Sequence, residues 1–257
     1  ENLVESSYEP EHGFQMDMTN RAHRGLELFA QFGPTISAAE FYAIKHDKFY
    51  SPATYYVAYL EKIKAQQFAD SLLQQAQHVI AQWDLGTDVA NTSAALGTCV
   101  LLAAERQKDR DTHDAEQVAK LLGECAETLL AAQGRLDPPW GEVNRHVRGE
   151  VNVPVGGGPD ILRAIYGRGL KEDGFLTNVA GDGLYYLVAW DADGQLSVEG
   201  VHQFGSATLD ESSQHYSDQA VNYANEVLHA ALFDEASLQQ NLLRAYRPGA
   251  ETVSSIR

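Results

Sequence analysis

Two histidines, a glutamine and an aspartate fall close together between Val201 and Ala220, in the run V-H-Q-F-G-S-A-T-L-D-E-S-S-Q-H-Y-S-D-Q-A. His202-Gln203 and His215-x-x-Asp218 are the residue types of a metal site or an acid–base pair. No further ligands follow at a metal-binding spacing, so the segment reads as a hydrogen-bond network where a strand end passes into a helix. In that reading Asp218 caps helix amides, His215 and Gln203 satisfy buried backbone groups, and Gln219 completes the network. Ser206, Ser212 and Ser213 raise a Ser-His-Asp triad, but no Gly-x-Ser-x-Gly elbow occurs, and Ser-rich turns bond their own backbone.

Three other patterns carry chemistry. Gly156-Gly157-Gly158 suggests a phosphate loop, yet it lacks the Lys-Ser/Thr of a Walker loop and runs into Pro159-Asp160, so a backbone kink is expected. Asp191-x-Asp193-Gly194 resembles the start of a calcium loop without the distal Glu, and reads as a hairpin turn. Arg21 and Arg24 stand three apart beside Asn20 and His23. They form either a solvated helix face or a guanidinium aimed into a pocket, orienting a catalytic Asn or a substrate carbonyl.

The elements that must position these residues are helical in the first half. Met18 to Gln31 forms one helix stopped by Gly33-Pro34, and Ser37-Ala38-Ala39-Glu40 is a capping box. Ser51-Pro52 opens another helical stretch. Leu72, Leu73, Ala76, Val79, Ile80 and Trp83 repeat at helical spacing, Asn91 to Arg106 is Ala/Leu-rich, and Val118 to Leu129 forms a further stripe ending near Gly134. Cys99 and Cys125 lie on these stripes and read as two small buried hydrophobes, although two cysteines leave a disulfide open. Asp137-Pro138-Pro139-Trp140 suggests a helix start with Asp137 as N-cap.

After Gly149 the texture turns to strands: Val151 to Val155, Leu184 to Trp190, and a return strand from Leu196 to Phe204. A helix begins at Ser217 or Asp218, and a last one at Phe233-Asp234-Glu235 places Leu238, Leu242, Leu243 and Tyr246 on one face. The expected class is α+β, mainly helical over 1–150, with antiparallel strands and terminal helices over 151–257. A lone hairpin is marginal in water, so these strands are expected to complete a sheet whose other members lie outside this chain.

A net charge of −17 excludes nucleic-acid phosphate as a partner, which needs clustered cations. No run approaches the roughly 18 apolar residues of a membrane helix. There is no initiator Met and no basic-then-apolar leader, so Glu1 reads as a processing product or a truncation.

Several segments resemble, in order, the β chains of the penicillin acylase family, the N-terminal-nucleophile amidohydrolases that include the homoserine-lactone acylases. They are Glu1-Asn2-Leu3 with Gly13 to Arg24, Asp137-Pro138-Pro139-Trp140-Gly141-Glu142-Val143-Asn144-Arg145, Pro154-Val155-Gly156-Gly157-Gly158-Pro159-Asp160, the run ending His215-Tyr216-Ser217-Asp218-Gln219, and Tyr246-Arg247-Pro248-Gly249. The resemblance spans essentially this whole chain but only the later part of the family's β chain.

It implies an αββα sandwich that hydrolyses an amide with an N-terminal Ser freed by autoproteolysis, the α-amine of that Ser being its base. Glu1 has no nucleophilic hydroxyl, and the family's oxyanion-hole Asn falls upstream, Asn2 matching better downstream of it. No catalytic residue is therefore expected in this chain, and the chain alone should be inactive. Arg21, with Arg24 second, is the expected support for substrate or oxyanion. The resemblance further implies a heterodimer with an α chain and the upstream part of the precursor, a small acyl-amide substrate, and a periplasmic or secreted location. It implies no cofactor in this chain, with any calcium held mostly elsewhere. The rival expectations are an inactive paralogue and a helical interaction module with an acylase-like tail.

Overall fold

The computed structural model describes residues 18–107 and 110–242. The chain divides into two compact units, one of residues up to Val147 with 152–182, the other of Arg148–Val151 with the chain from Gly183 onward.

The first unit opens with α1 (Asn20–Phe29) and α2 (Ala38–Lys45), each started by a side-chain cap. The Thr19 hydroxyl accepts from the Ala22 amide, and Ser37 with Glu40 closes the expected reciprocal box. Helices α3 (Tyr55–Lys64), α4 (Ser71–Gln82), α5 (Ala94–Glu105) and α6 (Ala115–Gln133) follow. The apolar stripes read from the sequence meet here: Leu60, Ile63, Ile80, Leu96, Leu101, Leu122 and Leu129 are buried in one cluster. Helix α5 begins after Asn91, whose Oδ1 accepts from the amides of Ser93 and Ala94. Helix α6 ends at Gly134, where φ is +72°, a left-handed conformation that costs Gly least. Cys99 and Cys125 are joined in a disulfide between α5 and α6, which corrects their reading as two separate buried hydrophobes. Helical periodicity shows that both face inward but not that the two turns lie side by side.

One position in this core inverts an ordinary rule. Ala in place of Gly inside a helix normally gains about 1 kcal/mol. A Cβ on Gly97, however, would sit 2.3 Å from the ring of Trp83, whose indole nitrogen is held by the Gly86 carbonyl at 2.8 Å. Overpacking of this kind costs about 1–3 kcal/mol. Gly97→Ala is therefore expected to destabilise the protein by about 1–2 kcal/mol. A denaturant midpoint that rises instead of falling would refute it.

The segment from Asp137 departs from expectation. Helix α7 (Trp140–Val143) is one turn without a side-chain cap, because Asp137 is engaged by the Arg135 Nε at 2.8 Å, which holds its carboxyl below the usual range. Strand β1 (Asn144–Arg148) begins at once and forms a hairpin with β2 (Val151–Pro154). Then come β3 (Ile165–Arg168), the single turn α8 (Leu170–Asp173) and β4 (Leu176–Gly181), in a sheet of order β2-β1-β4-β3. β3 runs antiparallel to β4, but β1 pairs parallel with it, Asn144 opposite Leu176. The all-antiparallel expectation is thus corrected. The connection between β1 and β4 is long enough to serve as the crossover a parallel pair requires.

In the second unit β5 (Tyr185–Trp190), β6 (Leu196–Val201) and β7 (His229–Ala230) form an antiparallel sheet in that order. The turn from Asp191 to Gln195 is held by Asp191 Oδ1, which accepts from the amides of Asp193 and Gln195. It is the expected hairpin turn. Helices α9 (Ala220–Ala224) and α10 (Glu235–Gln240) complete the unit. The fold is α+β, as expected. The stretches before Met18 and after Leu242, including the Tyr246-to-Gly249 motif and Leu243, lie outside the described residues.

Candidate functional site

The start of α1 is where the polar chemistry of the first unit converges. Asn20 is fully buried. Its amide donates to Asp160 Oδ2 at 2.9 Å, its Nδ2 donates to the Asp160 carbonyl at 2.7 Å, and its Oδ1 accepts from the Ser51 amide at 2.9 Å. Arg21 lies one residue on, its side chain 43% exposed. Its Nε faces Asp160 Oδ1 at 3.4 Å and its Nη2 donates to the Tyr166 hydroxyl at 2.9 Å. Tyr56 also donates to Asp160 Oδ2, at 3.5 Å, and burial pushes that phenol far above its ordinary range, so it keeps its proton.

Asp160 is therefore the hub, and its place is set by the glycine run before it. Gly157 has φ of +106°, and a Cβ there would lie 2.5 Å from the Arg163 carbonyl. The loop is pinned by Trp140 Nε1 and Asn144 Nδ2, which donate to the Gly157 carbonyl at 2.8 Å and to the Val155 carbonyl at 2.9 Å. The glycine run is the expected backbone kink, and it presents a carboxylate. Asp160 itself sits at φ of +53°, a region that Asp and Asn visit more readily than other residues with side chains.

Arg24 is differently employed. Its Nε and Nη2 grip both oxygens of Asp47, at 2.9 and 2.8 Å, and its guanidinium lies 5.6 Å from the Phe49 ring centroid. The Asp47 hydrogen bond raises its already high pKa, so the guanidinium stays charged. Glu27, which faces Arg24 Nη1 at 3.5 Å, also accepts from the Ser51 hydroxyl. Arg24 thus ties α1 to the end of α2. A fully buried Arg163 and Lys45 share Asp182, at 3.0 and 2.7 Å from its Oδ2, and brace the far side of the same loop.

The residues singled out near the chain end lie in the second unit. His215 Nδ1 and Asp218 Oδ2 are 2.7 Å apart, both partly exposed. Helix α9 has no side-chain cap bond, so Asp218 orients His215 rather than capping amides. Gln219 Oε1 accepts from the His202 amide at 2.8 Å, and His202 Nδ1 accepts from the amides of Phe204 and Gly205. His202 thus takes the backbone-satisfying role expected of His215. Gln203 follows His202 in the same junction, partly buried. Arg148, which sequence reasoning passed over, has its guanidinium 3.7 Å from the Tyr216 ring centroid and 4.6 Å from that of Phe204, and its Nη2 donates to the Thr208 carbonyl at 2.6 Å.

Among the described residues, no group of three or more His, Cys, Asp or Glu is placed to hold a metal ion. Chemically, the Arg21 cluster offers a partly exposed guanidinium whose direction is set by a carboxylate and a phenol. Nη1 makes no bond among the described residues, and a planar guanidinium so held can donate to a carbonyl or a developing oxyanion. Asp160 and Tyr166 were missed at the sequence level. The available signal was Asp160 at the end of the Gly156-to-Asp160 motif, with Tyr166 six residues on.

The family model for penicillin amidase matches residues 1–240, and the chain belongs to that family, a family of amidohydrolases. Among solved structures, a thermostable penicillin G acylase from Alcaligenes faecalis is similar at 15% identity and a TM-score of 0.47, over 91% of this chain and 53% of that one. The chain therefore spans about half the length of that solved protein. No curated protein matches.

Proposed function

We propose that this chain is the later part of the β chain of an acylase that hydrolyses an acyl amide of the penicillin, homoserine-lactone or acyl-peptide class. The family match over residues 1–240 is the observation that carries the reading. The nucleophile is an N-terminal Ser on polypeptide outside these residues. Its α-amine takes the hydroxyl proton as the oxygen attacks the amide carbonyl, then delivers it to the departing amine, leaving an acyl-enzyme that water cleaves to the free acid. A backbone amide and an Asn side chain, also upstream, hold the oxyanion. Arg21 orients that Asn or the carbonyl, and Asp160 with Tyr166 fixes the direction of its guanidinium. Arg24 acts at one remove, by holding α1 in place.

The working enzyme is a heterodimer with an α chain, located in the periplasm or secreted. The Cys99–Cys125 disulfide supports that location, because such bonds persist in oxidising compartments. Any calcium in the full enzyme is held mostly by residues outside this chain.

The test is hydrolysis of a chromogenic phenylacetyl or long-chain acyl anilide. The complete heterodimer is expected to turn it over and the 257-residue chain alone is not; turnover by the chain alone would refute this placement of the nucleophile. Arg21→Ala in the complete enzyme is expected to lower kcat by about 10²-fold, the scale for losing one donor at an oxyanion. It should move Tm by no more than about 2 °C, as for an exposed position. Arg21→Lys, which keeps the charge but not the fork, should recover only part of the rate. A fall in activity that tracks melting temperature would make Arg21 a structural residue.

A further inference from the structure

One feature of the first unit not used above is a mostly apolar cavity of about 180 Å³ lined along one side by α5. Ala95, Leu102, Val143, Ile165, Leu176 and the face of Trp140 form its apolar wall. Two polar side chains in its lining are already engaged, Trp140 Nε1 donating to the Gly157 carbonyl and Asn144 Nδ2 to the Val155 carbonyl. Its size matters. An apolar cavity of about 150 Å³ stays dry and takes up a benzene ring, so this volume suits one ring or a chain of about six carbons. Arg106, at the C-terminal end of α5, stands at its rim. That guanidinium is exposed and makes no ion pair or side-chain hydrogen bond among the described residues, whereas each of the cations at the Arg21 cluster is partnered. One unengaged cation at the mouth of a hydrocarbon-lined hole specifies an amphiphile with its anion at one end.

We propose that this cavity binds a small monocarboxylate, with a phenyl ring or short alkyl chain inside and the carboxylate on Arg106. The ring replaces empty space with van der Waals contacts, and the guanidinium meets a carboxylate in a fork that an alcohol or an amine cannot match. The inference stands on the cavity and on Arg106, and does not depend on the acylase reading.

Titration of the full-length protein with 3-phenylpropionate, followed by methyl NMR, tests it. Saturable binding with a dissociation constant on the order of a millimolar is expected for a ligand of this size, with intermolecular contacts from the phenyl ring to the methyls of Ala95, Leu102 and Ile165. The uncharged 3-phenylpropanol should show the same contacts and bind about fivefold more weakly. Arg106→Gln should bring the acid to the affinity of the alcohol while leaving the melting curve unchanged. Ala103→Leu, which fills the cavity from α5, should abolish both. Absence of saturable binding, contacts to methyls elsewhere, or an acid affinity untouched by Arg106→Gln would each overturn the proposal, and the wild-type contacts decide it even if Ala103→Leu fails to fold.

Discussion

Replacing Trp140 by Ala is expected to cost about 3–5 kcal/mol of folding stability, the range for a large aromatic deleted from a packed interior. The side chain is 1% exposed and belongs to the main apolar cluster of the first unit. Two further losses point the same way. Its indole nitrogen donates to the Gly157 carbonyl at 2.8 Å, and a buried carbonyl left without that donor carries its own penalty. The hole would also open onto the cavity that Trp140 already lines, so the surroundings have little material with which to collapse.

The consequence reaches the Arg21 cluster, because the glycine loop held by Trp140 carries Asp160. Trp140→Phe separates the two effects. It keeps most of the packing and gives up the hydrogen bond, and it should cost about 1–2 kcal/mol. Urea denaturation with unchanged m values checks both. A loss below about 1 kcal/mol for Trp140→Ala would mean that the loop is held chiefly by Asn144.

Opening the Cys99–Cys125 disulfide is expected to cost about 3–4 kcal/mol, from the entropy returned to an unfolded chain no longer closed into a loop. The two cysteines are 26 residues apart in sequence, with Cα atoms 5.9 Å apart, and they join α5 to α6. Cys99→Ala with Cys125→Ala is the better variant pair, since Ser would bury a hydroxyl at position 125. The intact protein should weigh two hydrogens less than its reduced form, and its melting temperature should fall on reduction but not in the double variant. Equal melting with and without reductant would show that packing of α5 on α6 already does what the bond does.

The helical half of this molecule was legible because its elements are long and amphipathic. The stripes of α4 and α6, the Ala/Leu-rich run of α5 and the capping box of α2 are local signals, and local signals survive folding. The strands were legible as strands but not in their pairing. Alternation at Val151 to Pro154 tells which face is buried and nothing about β1 running parallel to β4. The short helix at Trp140 was misjudged for a specific reason. Pro138 and Pro139 have no amide for Asp137 to cap and the Trp140 amide donates to the Asn91 carbonyl, so the carboxylate pairs with the Arg135 guanidinium instead.

The Arg pair shows the same limit at the site. Arg21 and Arg24 are indistinguishable by spacing, three apart on one helix. Only the folded chain brings Asp47 to one and Asp160 with Tyr166 to the other, across sequence separations of 23, 139 and 145 residues. What the sequence determined alone was the family, the α+β class, the helix ends and the residue types available for chemistry, since these depend on neighbours within a few positions or on motifs in order. The tertiary structure decided which guanidinium is spent on scaffolding and which stays exposed, that the two cysteines meet, and that the glycine run exists to deliver a carboxylate. Those outcomes rest on contacts between distant segments, whose free energies of a few kcal/mol each are set by geometry that no local pattern encodes.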